Sequence, residues 1–157
     1  MKLKLNTEYA RRHLFVTLLM IGLGLWFGYD GFIRYPATPA DALYRSIEGS
    51  DAPEGLNLEV FKRQKTQTQY GFTVLSLLVG ITVGLRLYRE KRFSFEWDDD
   101  SIIVNGVRHD RSEIIVIDRE AFERKSIVYL KLASGERITL DAWHHSGVRD
   151  FLATLPA

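Results

Sequence analysis

Apolar and polar positions along this chain are sorted into blocks rather than interleaved. Residues 14–33 read LFVTLLMIGLGLWFGYDGFI and residues 70–88 read YGFTVLSLLVGITVGLRLY, both nearly free of charge. A helix rises about 1.5 Å per residue, so twenty residues span roughly 30 Å, the thickness of a bilayer's hydrocarbon core. Aromatic residues gather at the block edges: Trp26, Phe27, Tyr29, Phe32 and Tyr35 in the first, and Tyr70, Phe72 and Tyr88 around the second. Such rings favour the water–lipid interface. Neither block has a polar stripe, which separates them from helices on the surface of a soluble core. The pattern predicts two transmembrane helices, over residues 14–35 and 70–88, joined by a connecting segment over 36–69.

From residue 93 the period changes to two. Phe93, Phe95 and Trp97 alternate with Ser94 and Glu96, and Asp98, Asp99 and Asp100 form a turn. Residues 101–104 run into Asn105-Gly106, a strong hairpin signal, and the chain returns through Val107, Arg108 and His109. Residues 113–118 (EIIVID) read as another strand, and residues 126–133 and 136–141 as a second hairpin turning at Ser134-Gly135. Val148, Phe151, Leu152 and Leu155 then fall on one helix face, with Pro156 ending that helix. The fold class expected is a membrane α-helical hairpin plus an α+β domain over residues 90–157. That domain is a small, curved antiparallel sheet or half-barrel, closed by the C-terminal helix.

Charge sets the expected orientation. Lys2, Lys4, Arg11 and Arg12 lie in the basic N-terminal segment 1–13, and Arg86, Arg89, Lys91 and Arg92 close or follow the second block. The connecting segment mixes its basic residues with Asp41, Glu48, Asp51, Glu54 and Glu59. The positive-inside bias predicts a multi-pass protein of the cytoplasmic (inner) membrane with both termini cytoplasmic. A cleaved signal peptide fits the first block less well, because the block is longer than an h-region of about 7–15 residues. Within the connector, Thr38, Pro39 and Asp41 predict a helix start with Thr38 as N-cap.

Composition excludes several classes. A net charge of +1 gives no basic face for nucleic acid, and the absence of cysteine removes disulfides, thiolate metal sites and thiol nucleophiles. Within the spans, Gly24 and Gly28, and again Gly80 and Gly84, make GxxxG patterns that let helix backbones approach closely. Gly24 and Gly80 fall at similar depth in a hairpin, so the two small faces can meet within one chain. Asp30 is the acidic residue inside a predicted span, and Arg34, at i+4, is its natural partner for an intramembrane polar contact.

In the β domain, residues 118–125 read as an exposed, mixed-charge loop, where Arg119, Phe122, Arg124 and Lys125 can meet a partner or headgroups. His144 and His145 beside Asp141 read as surface loop residues rather than metal ligands, and no catalytic constellation, metal site or cofactor site is expected.

The strand with its acidic turn, SIIVNG, EIIVID, the hairpin around LASGERITL and the closing helix resemble the bacterial pleckstrin-homology-like domains that follow paired membrane spans. The resemblance covers roughly residues 90–157 and the hairpin-anchor layout. It implies a non-enzymatic binding or assembly module. The function expected is an interaction or scaffolding module, or an accessory subunit of a membrane complex. Its partners are then the lipid bilayer and either other membrane subunits or further copies of itself. Two further readings are a sensor of anionic lipid at the membrane surface and a small transporter or channel component.

Overall fold

Asn6 opens the first helix: its side-chain oxygen accepts the backbone N–H groups of Glu8 at 3.0 Å and Tyr9 at 3.4 Å. In the computed structural model, which describes residues 1–155, α1 (Thr7–Tyr29), a π-helical turn (Asp30–Arg34) and α2 (Tyr35–Ala37) follow one another as a single helical run. Thr38 ends this run, donating both its backbone N–H and its hydroxyl to Arg34 O, at 3.0 and 2.7 Å. The expectation that Thr38 caps the following helix is thereby corrected. Helix α3 (Ala40–Glu48) has Pro39 at its cap position and no side-chain cap. Asn57 then caps α4 (Leu58–Arg92), accepting the Val60 N–H at 3.1 Å. No glycine or proline interrupts residues 58–70, so the helix starts well before its apolar block and reaches roughly 50 Å in length. Pro156, expected to end the last helix, lies outside the described residues.

The chain divides into two units, Phe15–Gly84 and Met1–Leu14 with Leu85–Ala157. In the helical unit, burial is inverted relative to a protein core in water. The buried residues of α1 and α4 are Gly24, Thr73, Ser76 and Gly80, whereas Phe15, Leu18, Leu25, Trp26, Val74 and Leu78 are exposed. Both helices are long and apolar enough to cross a membrane, and only 17% of the most apolar stretch of each is buried. The helices pack antiparallel, each of the four GxxxG glycines receiving a residue of the other helix. A Cβ at Gly24 would lie 2.7 Å from Leu77 Cγ, and one at Gly28 would lie 3.6 Å from Thr73 Cγ2. From the other side, one at Gly80 would lie 3.2 Å from Ile21 N, and one at Gly84 would lie 3.2 Å from Thr17 Cγ2. Leu43, Tyr35 and Ala40 are buried beyond this seam.

The second unit is α+β. Strands β2 (Phe95–Trp97), β3 (Ser101–Val104) and β4 (Val107–Asp110) form one antiparallel sheet, and β5 (Ile114–Asp118), β6 (Ile127–Leu132) and β7 (Arg137–Asp141) form another. Asn105 and Gly106 both take positive φ (51° and 87°), the backbone of a tight hairpin turn. Between the aspartates, Asp98 does the local work: it accepts hydrogen bonds from the Ser101 N–H at 2.6 Å and the Ser101 hydroxyl at 2.9 Å. That hydroxyl, with backbone N–H groups, holds the Asp98 carboxyl below the ordinary carboxylate range.

Helix α6 (Val148–Ala153) closes the core as its apolar spacing predicts, with Val148, Phe151 and Leu152 buried. Phe151 meets Phe95 and Trp97 edge-on, at centroid distances of 4.9 and 5.5 Å. The two sheets remain separate, and no closed barrel forms among the described residues.

The N-terminal residues, read above only as a basic segment, are structural. Strand β1 (Lys4–Leu5) pairs antiparallel with β8 (His145–Ser146), Lys2 bridges Glu96, and Leu3 is buried in the core. Leu3 also packs 3.3 Å from where a Cβ on Gly147 would stand.

Candidate functional site

The most concentrated polar chemistry lies in the α+β unit, where the first turn of α1, the last turns of α4 and the β7–β8 turn come together. His144 is buried there. Its Nδ1 lies 3.1 Å from Glu90 Oε1, its Nε2 lies 3.3 Å from Arg86 Nη2 and 3.5 Å from Asp141 Oδ2, and its ring stacks on Tyr9 at 4.3 Å. Since arginine can only donate, the neutral tautomer that satisfies this network carries its proton on Nδ1, toward Glu90. His145 is buried alongside. Its Nε2 donates to the Glu90 backbone carbonyl at 3.3 Å, and Phe93 packs on its ring at 5.3 Å. Burial, as the largest cause, pushes the His145 pKa below its ordinary value, against an opposing pull from Glu90. A cleft of about 420 Å³ opens on this cluster, lined by Arg86, Arg89, Glu90, Thr139, Asp141 and the two histidines.

This corrects the reading of His144 and His145 as surface loop residues. Their partners Tyr9, Arg86 and Glu90 lie more than fifty positions away in sequence, so no local pattern marks them. The two imidazole rings diverge, at 67° and 6.5 Å between centroids, and do not converge on one ion. Among the described residues, no group of three or more histidine or acidic side chains is arranged to hold a metal. The cluster can fasten the helix ends to the domain.

The other predicted positions separate into two places. In the helical unit, Arg34 Nη1 pairs with Asp30 Oδ1 at 3.4 Å; Asp30 is buried and begins the π-helical turn. Gly31, absent from the GxxxG patterns, makes a further tight approach there: a Cβ on it would lie 2.9 Å from Tyr70 Cδ1. Gln69 Nε2 donates to Tyr35 OH at 3.3 Å on the same stretch.

In the α+β unit, Phe122, Arg124 and Lys125 lie on a short helix, α5 (Glu120–Lys125), and not on a loop, with Arg119 at its N-cap position. The Asp118 carboxylate accepts the Glu120 N–H at 3.1 Å at its start, and Ser126, at φ 57°, ends it. Phe122 is half-buried and packs against the domain core, which corrects the reading of it as exposed. Arg119, Arg124 and Lys125 remain on the surface, with Arg124 3.9 Å from Glu120. Phe122 anchors the helix to the core.

Compared with known proteins, the chain matches no family model, no characterised relative and no solved structure.

Proposed function

We propose that this chain is a multi-pass protein of a bacterial cytoplasmic membrane, with both termini cytoplasmic. Its α+β domain acts as a non-catalytic interaction or scaffolding module of the pleckstrin-homology-like type. On this reading it is an accessory subunit of a larger membrane assembly, or assembles with copies of itself. The observation that carries the reading is the inverted burial of α1 and α4, with small and hydroxylated residues inside and leucine, phenylalanine and tryptophan outside. Water penalises that arrangement by about 25 cal/mol for each Å² of apolar surface, whereas lipid does not.

Several features support a module held firmly at the helix ends. The N-terminal strand β1 pairs with β8 of the domain, and Tyr9, Arg86 and Glu90 meet the buried histidines. Val107, Ile115 and Val116 leave apolar surface on the domain for a protein partner. A transport role has little behind it, because Asp30, the acidic residue of the apolar blocks, is engaged by Arg34.

Extraction of the full chain in mild detergent, followed by mass measurement, should yield a complex several times the monomer mass. A clean monomer with no co-purifying subunit would sink the scaffold reading. Orientation is tested separately: a cysteine introduced at Ser50, in this cysteine-free chain, should react with an impermeant maleimide from outside the cell.

A further inference from the structure

The α+β unit holds two tryptophans in opposite conditions. Trp97 is 5% exposed within the core, whereas Trp143 is 66% exposed at the β7–β8 turn. The unit buries Phe95, Trp97 and Phe151 in its core, and displaying an indole gains it nothing in water. We propose that Trp143 is a bilayer-interface anchor, seating its ring at the headgroup–acyl boundary of the membrane that the two helices cross; this rests on the spanning reading above.

Three observations carry it. First, the turn is rigid. The Trp143 N–H donates to Asp141 Oδ1 at 2.8 Å, the Ala142 N–H donates to Ser126 O at 2.9 Å, and the next residue, His144, is buried. The indole is therefore displayed on a fixed support, and little backbone freedom remains to be lost on insertion.

Second, the turn sits at a defined level. His144 stacks on Tyr9, five residues before Leu14 where the first apolar block begins, and meets Arg86, directly after Leu85. Five residues of helix rise roughly 7.5 Å, so the turn lies within the headgroup layer adjoining the hydrocarbon. An indole, apolar in body with one N–H to donate, is most stable at that depth.

Third, the surrounding charge complements phosphate. Arg11 and Arg89 are exposed near the ends of the two helices, beside Arg12, which is paired with Glu8, and Arg86, which reaches His144, while Asp141 and Glu90 are engaged with the turn and the histidines. A phospholipid surface is the occupant these features fit.

Tryptophan fluorescence of the full chain in phosphatidylcholine–phosphatidylglycerol vesicles tests this, using lipids brominated high or low on the acyl chain. Trp26 and Trp143 are removed one at a time, as Trp26→Phe and Trp143→Phe, and then together. The short-wavelength emission of buried Trp97 reports that each variant is folded. In Trp26→Phe, shallow bromine should quench a large part of the emission and aqueous iodide should quench little. Adding Trp143→Phe should abolish the bromine-sensitive part. Retention of that part in the double variant, or iodide-sensitive and bromine-insensitive emission in Trp26→Phe, would overturn the anchor while leaving the spans intact. The Trp143→Phe variant keeps Trp26 as a depth control. Absence of bromine quenching there would defeat the spanning reading, and the anchor with it.

Discussion

The two units of this chain solve opposite packing problems. In the α+β unit, large side chains are inside: Phe95, Phe151, Leu130 and Leu140 are fully buried and meet as a single core. In the helical unit, the largest side chains are outside, and the seam is made of Gly24, Thr73, Ser76 and Gly80. The first arrangement draws its stability from removing apolar surface from water. The second relies on close backbone approach, dispersion and a few hydrogen bonds, such as the Thr73 hydroxyl to Gln69 O at 2.8 Å. The same residue types therefore carry different meanings in the two places. A buried phenylalanine stabilises the first unit, whereas a glycine is what the second cannot replace.

This contrast can be broken most forcefully from the α+β side. Phe151→Ala should cost the domain about 3–5 kcal/mol, because it opens a cavity against Phe95 and Trp97. Denaturant unfolding followed by Trp97 emission measures it. A loss below 1 kcal/mol would mean that α6 is not the plug of this core.

The helical unit should respond to enlargement instead. Gly80→Leu meets the Ile21 backbone and should cost about 1–3 kcal/mol by overpacking. In a chain carrying Gly28→Cys with Thr73→Cys, an engineered disulfide should form readily, since the side chains at these positions approach within van der Waals contact. Adding Gly80→Leu should lower its yield; an unchanged yield would argue against this seam.

A smaller effect joins backbone to packing. Gly147 sits at φ 95° with Leu3 and Trp97 close to its missing Cβ. Gly147→Ala should destabilise the domain by about 1 kcal/mol or somewhat more, through strain at positive φ. Gly135→Ala, also at positive φ but with open space around it, should cost less. Equal losses would remove the role assigned to the N-terminal Leu3.

The smallest expected effect is on pH dependence. Burial sets the folded His145 pKa below its ordinary value of 6.5. As pH falls through 6.5, the unfolded chain takes up this proton first. Stability is therefore full above 6.5 and declines as pH falls toward the folded value. His145→Gln should flatten this part of the stability–pH curve, and a slope identical to that of the native chain would contradict it. At lower pH the carboxyls take over. Glu96, held down first by its hydrogen bond from Lys2, and Asp98, held down first by Ser101, withdraw their stabilisation as pH falls below their ordinary ranges.

Much of this architecture was legible from period alone. Alternation at Phe93–Trp97, the Asn105-Gly106 turn and the spacing of Val148, Phe151 and Leu152 all led to the elements observed, because each depends on neighbours within a few residues. The N-terminal strand left a trace that was easy to pass over: Lys2, Leu3, Lys4 and Leu5 alternate with period two, yet the stretch reads first as a run of basic residues. The α5 helix is not legible in the sequence because six residues of mixed charge carry little periodic signal, and the inward packing of Phe122 is hidden with it.

By itself, then, the sequence determined the two long apolar helices, the succession of short strands and the closing helix, since length, period and turn chemistry are local properties. Tertiary structure alone decided which residues the glycines receive, that Leu3 joins a core built by residues 95–152, and that His144 and His145 are buried against Tyr9, Arg86 and Glu90. These outcomes depend on pairings between distant positions, whose free energy exists only once both partners are in place, and no periodicity in one segment encodes the other.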